Sequence, residues 1–191
     1  MATQLEICNL ALSWIGAKKI YDLAEDSVEA QLCATNYPLS RDALLEARMW
    51  TFATKQIVPA RPAGTPPAPW ANQFAIPSDC LRVFRVVDGD MNRVPWIRQG
   101  QLILCDSTAI NMSYVARLTD TSVFSAAFVH AIAARMAADI AVTYTENRSL
   151  QADLWAAAEK KLKEAAATDG SQGRSDQINR PPSYLSAKRY S

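Results

Sequence analysis

The sequence predicts a mainly α fold of the α+β class: a helical bundle from both ends of the chain, with a small antiparallel β meander inserted and an extended C-terminal tail. Apolar residues recur at helical spacing before residue 50 and again after about residue 123. Between these segments, apolar and polar residues alternate and glycine turns follow, which is typical of strands. From residue 170 the apolar periodicity ends.

Two helices are predicted in the N-terminal region. Thr3-Gln-Leu-Glu6 has the capping-box pattern, in which the hydroxyl and the carboxylate satisfy backbone amides at the start of a helix. The first helix is therefore predicted over 3–16 and the second over 27–49. Pro38 lies inside the second helix and removes one backbone hydrogen bond, so we expect a kink or a short break there.

The β insertion is predicted at about 72–118. Five prolines crowd the preceding loop, 58–70, which cannot be helical. Residues 81–87 alternate in polarity, Asp88-Gly89 is a strong hairpin dipeptide, and a further hairpin is predicted around Gly100.

Two more helices are predicted over 123–145 and 149–168. The first of them carries an i, i+4 row of large apolar residues among many alanines, which allow close helix packing. The row consists of Phe124, Phe128, Ile132, Met136, Ile140 and Tyr144. The chain is thus predicted to form one domain, residues 1–169, and a tail, residues 170–191.

Composition excludes several classes of protein. The 191 residues carry a formal net charge of +1, so the chain has no overall field that would attract a polyanion. The longest charge-free apolar stretch, 121–134, is shorter than the roughly 20 residues needed to cross a bilayer. The first residues lack the basic segment of a signal peptide. We therefore expect a soluble protein without a membrane partner, made in a reducing cytoplasm, with four reduced cysteines.

Residues for catalysis are few. The single histidine, His130, has no second histidine to share a metal, and no nucleophile elbow or phosphate-binding glycine loop occurs. We expect no enzyme activity, no catalytic residues, no metal and no cofactor, with His130 packed on its helix and uncoordinated. Acidic residues cluster near the second helix, where carboxylates favour the helix dipole, and we expect them to cap it. They are Asp22, Glu25, Asp26 and Glu29.

Two interactions of the helical part follow from residue spacing. Trp50 and Phe52 are predicted to anchor the end of the second helix against the helix that begins near Phe124, because aromatic pairs bury large areas. Arg135 and Asp139, four residues apart, are expected to form a helical salt bridge.

Basic and aromatic residues of the meander indicate a possible nucleic-acid surface. They are Arg82, Phe84, Arg85, Arg93, Trp96 and Arg98. Strict alternation along a strand places Arg82 and Arg85 on opposite faces, which favours a solvated sheet edge over a binding face. Arg93 and Arg98 remain candidates to line a channel.

The order of several motifs resembles one known family. The matching stretches are Leu5–Gly16, Ser27–Leu32, Arg41–Leu45 followed by Trp50–Ala53, Ile76–Arg82, Tyr114–Asp120, Phe124 and Phe128. Over about residues 4–168 the chain resembles the podophage tail tubular protein A family, the head-to-tail adaptors of short-tailed bacteriophages. No single motif is diagnostic; their order carries the resemblance.

The resemblance implies a structural subunit of a homo-oligomeric ring, of twelve copies, at the head–tail junction of a virion. Its partners would be the portal protein and the tail nozzle or tail tube protein. DNA would pass through the bore without readout of its sequence. Related adaptors occur in long-tailed phages, and the resemblance assigns no contact residues.

The tail is predicted to dock on the portal or on a neighbouring subunit. Its basic residues exceed its single acidic residue by three charges, and prolines and tyrosines add stiffness and anchors. At full extension, 22 residues span on the order of 70 Å. The candidate docking residues are Arg174, Arg180, Pro181, Pro182, Tyr184, Lys188, Arg189 and Tyr190.

Two other functions are open from the residues alone. A nucleic-acid binding module would use the basic and aromatic meander, and it predicts salt-sensitive affinity for DNA in the free protein. A small hydrolase would need a convergent polar pocket near His130. The adaptor instead predicts assembly or portal binding without turnover.

Overall fold

Four α-helices and two three-stranded antiparallel sheets form residues 2–172, the part of the chain that the computed structural model describes. The α+β class predicted from the sequence is therefore confirmed. The helices are α1 (Gln4–Trp14), α2 (Val28–Ala47), α3 (Ala126–Thr145) and α4 (Arg148–Gln172). The strands are β1 (Thr54–Ile57), β2 (Asn72–Ala75), β3 (Cys80–Asp88), β4 (Trp96–Gln99), β5 (Leu102–Cys105) and β6 (Ile110–Ala116). Short 3₁₀ turns lie at Thr51–Ala53 and Thr121–Val123.

The N-terminal helices begin where side-chain caps are available. The capping box of α1 is confirmed: Thr3 Oγ1 accepts from the Glu6 amide, and the Glu6 carboxylate accepts from the Thr3 amide at 2.7 Å. Ser27 caps α2 by accepting from the Ala30 amide. Of the kink or short break expected at Pro38, the break does not occur, since α2 is one continuous helix. Buried residues on both sides of the proline, among them Tyr37, hold the helix against its neighbours.

The C-terminal helices differ from their predicted bounds. Helix α3 begins at Ala126 rather than at residue 123, because Ser125 caps it with a hydroxyl that accepts from the Phe128 amide. Helix α4 continues to Gln172, so residues 170–172 are helical and the prediction of a tail starting at 170 was wrong for them. A hydrogen bond from the Thr51 amide to Asp169 holds this last turn.

The β part is not the single meander predicted from the sequence. Its strands form two sheets with the orders β1-β6-β3 and β2-β5-β4. Strand β1 lies outside the predicted insertion of 72–118, so the β part begins at Thr54. The hairpin around Gly100 is confirmed. The chain does turn at Asp88-Gly89, where the Asp88 amide donates to the Asn92 carbonyl at 2.9 Å, but the flanking strands belong to different sheets and their backbones pair only at the isolated bridge between Val87 and Arg93.

Strand β6 pairs over a long range because its even-numbered face is apolar and buried and its other face is partly buried. Four even-numbered residues of β6 pack into a core between the two sheets, while Val115 faces the helices. The even-numbered residues are Ile110, Met112, Tyr114 and Ala116. No residue of β6 is exposed, and the strand lies at the centre of its sheet, between β1 and β3.

Helix α3 is the central helix and contacts α1, α2 and α4. Its length and hydropathy alone would suit a membrane span, but 61% of that apolar window is buried inside the fold. Buried alanines such as Ala133 and Ala137 let the neighbouring helices approach closely. The predicted salt bridge is also confirmed, with Arg135 Nε 3.2 Å from Asp139 Oδ2.

All four cysteines are free thiols, and three of them are buried. Cys8 of α1 and Cys33 of α2 face each other in the helical core. Their mutual hydrogen bond, together with burial, raises the pKa of the Cys8 thiol, so this thiol is protonated at neutral pH. The pair therefore serves as core packing between the first two helices.

Candidate functional site

The helical part and the β part meet through a network that we call the joint, made of residues 41–53, 114–128 and Asp169. The Asp42 carboxylate connects two arginines from different elements. Its Oδ1 lies 2.7 Å from Arg41 Nη2, and its Oδ2 lies 2.7 Å from Nε of Arg117, which follows β6. The pair with Arg117 ties α2 to the end of β6, while the buried Arg41 holds the Asp42 carboxylate in place from within α2.

Four aromatic rings fill the centre of the joint. Trp50, which is 1% exposed, packs edge-on against Phe128 with the ring centroids 4.8 Å apart. Phe52 lies 6.0 Å from Phe124 and 5.1 Å from Phe128. The indole Nε1 of Trp50 also donates to the Leu44 carbonyl at 2.8 Å. The prediction that Trp50 and Phe52 anchor the end of the second helix against the third is confirmed.

Asp169 connects α4 to the joint. Its Oδ2 accepts from the Thr51 amide at 2.8 Å and from the Thr51 hydroxyl at 3.0 Å. The Asp169 residue is only 7% exposed, so these bonds form in a low-dielectric setting. The last turns of α4 are thereby fixed beside the end of α2, and the chain beyond Gln172 starts from that point.

A second polar network lies in the β part. The Asp79 carboxylate accepts from Lys55 Nζ at 2.7 Å and from the Tyr114 hydroxyl at 3.1 Å. The hydrogen bond from Lys55 lowers the pKa of Asp79. Burial, and then the bond to Asp79, raises the pKa of Tyr114 to about 12. The network joins β1, β6 and the loop before β3, and it therefore stabilises the fold of the β part.

The arginines of β3 lie on one face of their sheet, contrary to the expectation from strict alternation. Strand β3 has two register shifts, between Cys80 and Arg82 and between Val83 and Arg85. Each shift inserts one extra residue, so Arg82 pairs with Val115 and Arg85 pairs with Ser113. Residues paired across strands share a face, and these odd-numbered partners face away from the core between the sheets.

A cleft of about 390 Å³ opens between the edge strands β3 and β4, which belong to different sheets. We call it the basic cleft. It is lined by Met49, Phe84, Arg85, Val86, Arg93, Val94 and Trp96. The Val87–Arg93 bridge holds the two edges together on one side. On the other side, Arg98 Nη1 donates across to the Leu81 carbonyl at 3.5 Å.

Charge in the basic cleft is not neutralised within residues 2–172. Arg85 and Arg93 are exposed, and neither forms an ion pair with another described residue. Met49 at the rim is 60% exposed. The rings of Phe84 and Trp96 are half-buried against the two cores, so they form walls of the cleft rather than open stacking surfaces.

A neighbouring groove extends the basic surface toward the joint. Met49 lines both, and the groove also includes Arg48, Arg82, Asp169 and Gly170. Arg82 donates to the Glu46 carbonyl at 3.4 Å, near the end of α2. The basic surface therefore starts at the C-terminal end of α2 and continues along the open edge of β3.

The structure locates the candidate residues of the described part of the chain. Arg93 lines the basic cleft and Arg98 bridges one side of it, while the docking residues of the tail, 174–190, lie outside the described residues. His130 is exposed on α3, so the prediction that it is packed was wrong: it faces away from the apolar row. In the described part of the chain, no three histidine, cysteine or acidic side chains come close enough to hold a metal ion.

Met49 is a cleft residue that sequence reasoning did not select, and Arg85 was named from the sequence but assigned to the face opposite Arg82. The bulges of β3 decide the position of Arg85, and no residue pattern marks them. Comparisons with known proteins add no assignment: no protein-family model matches the chain, and no curated protein sequence matches it significantly.

Proposed function

We propose that the chain is a non-catalytic structural subunit of a bacteriophage head-to-tail adaptor, a ring between portal and tail through which DNA passes. In this proposal the helices of both chain ends form the rigid bundle of each subunit and the two sheets are an insertion in it. Residues beyond Gln172 form the arm that reaches the portal or a neighbour. The protein is made in the host cytoplasm and acts in the virion.

One observation carries the proposal. The stretches on which the family resemblance rests are far apart in the sequence, yet they contact one another in the joint. Asp42 pairs with Arg117, Trp50 packs on Phe128, and Phe52 packs on Phe124. The matched stretches therefore form one structural unit, as the proposal requires of a shared adaptor domain.

The surfaces support a role in assembly. A ring subunit needs a rigid body and two different side faces. The joint supplies rigidity through buried aromatic contacts and charge-assisted hydrogen bonds. The basic cleft offers an open surface whose arginines have no carboxylate partner among residues 2–172.

Removal of the gene from the phage that encodes it tests this proposal. We expect heads that package DNA but carry no tail, and restored tails when the full chain is supplied. A chain that ends at Gln172 keeps the Asp169 contact and should fold with the same helicity, yet fail to restore tails. Tailed, infectious particles in the absence of the chain would refute the adaptor function.

A further inference from the structure

Helix α2 separates two surfaces of opposite charge. The basic cleft and the adjoining groove lie at its C-terminal end, where Met49 belongs to both. At its N-terminal end, the loop 21–26 carries three exposed acidic residues, and none of them forms an ion pair with a described residue. Helix α2 has 20 residues, so its ends lie roughly 30 Å apart.

The acidic loop has the features of an interface anchor. Tyr21 is 79% exposed, although a tyrosine ring normally buries a large area. Its amide donates to the Glu25 carboxylate at 3.1 Å, and the Asp22 carboxylate accepts from the Ala24 amide at 2.9 Å. These local bonds fix the loop in one shape. Lys19 lies over the Tyr21 ring at 5.6 Å and offsets only part of the negative charge.

We propose that the acidic loop 21–26 of one copy of this chain docks into the basic cleft of the next copy. Tyr21 enters the cleft between Met49 and the half-buried aromatic walls. Glu25 and Asp26 meet Arg85 and Arg93. This inference rests on the ring proposed above and names its side contact.

Chemistry and position both fit this pairing. Arginine forks recognise carboxylates, and tyrosine is enriched among interface residues that carry binding energy. Methionine adapts its shape and contacts aromatic rings favourably. Two complementary surfaces at opposite ends of a 20-residue helix form a head-to-tail contact, the kind that generates a ring when the rotation closes.

Charge reversal with rescue tests the contact. The cleft variant carries Arg85→Glu and Arg93→Glu, and the loop variant carries Glu25→Arg and Asp26→Arg. We expect each variant alone to lower the association constant of the subunit contact about a hundredfold or more, because like charges then face each other. When the two variants are mixed, every contact is again between opposite charges, and assembly should return.

The readout is the mass distribution of the purified full chain by sedimentation, alone and with portal rings. Lys160→Glu with Lys163→Glu is the matched control, since both side chains are exposed on α4 and the charge change equals that of the cleft variant. Where the loop variant is poorly folded, Asp26→Arg alone replaces it, because Asp26 makes no described side-chain hydrogen bond.

Three results would overturn the inference. If the wild-type chain assembles and neither variant changes this, the ring stands and its contact lies elsewhere. If the cleft variant assembles normally but loses affinity for a labelled duplex DNA, the cleft is a nucleic-acid site. If the wild-type chain is a monomer at every concentration, alone and with portal rings, both the ring and the contact are wrong.

Discussion

The arginines of the joint and those of the basic cleft have opposite surroundings. Arg41 and Arg117 share the Asp42 carboxylate within one chain, and Arg41 is buried. Arg85 and Arg93 are exposed and have no carboxylate partner in the described part of the chain. The joint therefore contributes to the stability of a single subunit, whereas we propose that the cleft binds another molecule.

Truncation of a buried aromatic side chain in the joint should give the largest loss of stability. For Trp50→Ala we expect the free energy of unfolding to fall by about 3–5 kcal/mol, since the ring is buried against Phe128 and its Nε1 bonds the Leu44 carbonyl. Met49→Ala, at the adjacent exposed position, is the control and should cost far less. Urea unfolding followed by circular dichroism measures both. Equal stability of the two variants would contradict the assignment of Trp50 as the anchor.

Loss of the contact between Asp169 of α4 and Thr51 should give the second largest loss of stability. Asp169→Ala removes a carboxylate that accepts two hydrogen bonds from Thr51, and we expect a loss of about 1.5–3 kcal/mol. Hydrogen exchange should also speed up in the last turns of α4. Asp153→Ala changes an exposed carboxylate on the same helix and serves as the control. Unchanged exchange near residue 169 would show that the contact does not hold the helix end.

The Asp79–Tyr114 pair should give a smaller effect that depends on pH. Tyr114→Phe removes one hydrogen bond, and we expect a cost of about 1 kcal/mol at neutral pH. The folded protein raises the pKa of Tyr114 to about 12, above its unfolded value of about 10. The stability linked to this group is thus full below pH 10 and is lost as the pH rises toward 12.

Urea unfolding at a series of alkaline pH values measures this linkage. The wild-type chain should lose more stability between pH 10 and 12 than the Tyr114→Phe variant, which has no phenol at that position. The opposite order, or parallel curves, would contradict the raised pKa of Tyr114. The lowered pKa of Asp79 predicts a separate loss at acidic pH, as that carboxylate becomes protonated.

The smallest effect on stability is expected in the basic cleft. Arg85→Gln with Arg93→Gln should change the free energy of unfolding by less than about 0.5 kcal/mol, because neither side chain makes a described ion pair. The same variant should nevertheless weaken assembly. A large loss of stability in the isolated chain would show that these arginines belong to the fold, and the contrast between the two regions would fail.

Local signals in the sequence were sufficient for much of the helical part. Caps such as Thr3 and Ser27 and the periodic row from Phe124 locate helices, because these interactions act within a few residues. Trp50 and Phe52 could be assigned as anchors, since large aromatic rings next to a helix end require a buried partner. The end of α4 was misplaced because Asp169 stabilises it through Thr51, which is 118 residues away.

The β part was less predictable, for physical reasons that act over long range. The Asp88-Gly89 turn suggested that its flanking strands pair, but β3 gains more by pairing with β6, whose even-numbered face is buried in the core between the sheets. The basic cleft depends on the bulges that turn Arg85 to the same face as Arg82. A single sequence gives no reliable signal for which sheet a strand joins or for where a bulge occurs.

Native mass spectrometry of the full chain, alone and with portal rings, tests the central claim most directly. The adaptor account predicts one closed species with a fixed whole number of copies, twelve by the resemblance, and no ladder of open oligomers. Since a ring needs both faces of every subunit, the cleft variant should remain at the monomer mass under the same conditions. A wild-type chain that stays monomeric throughout, in isolation and in the presence of the portal, would contradict the account.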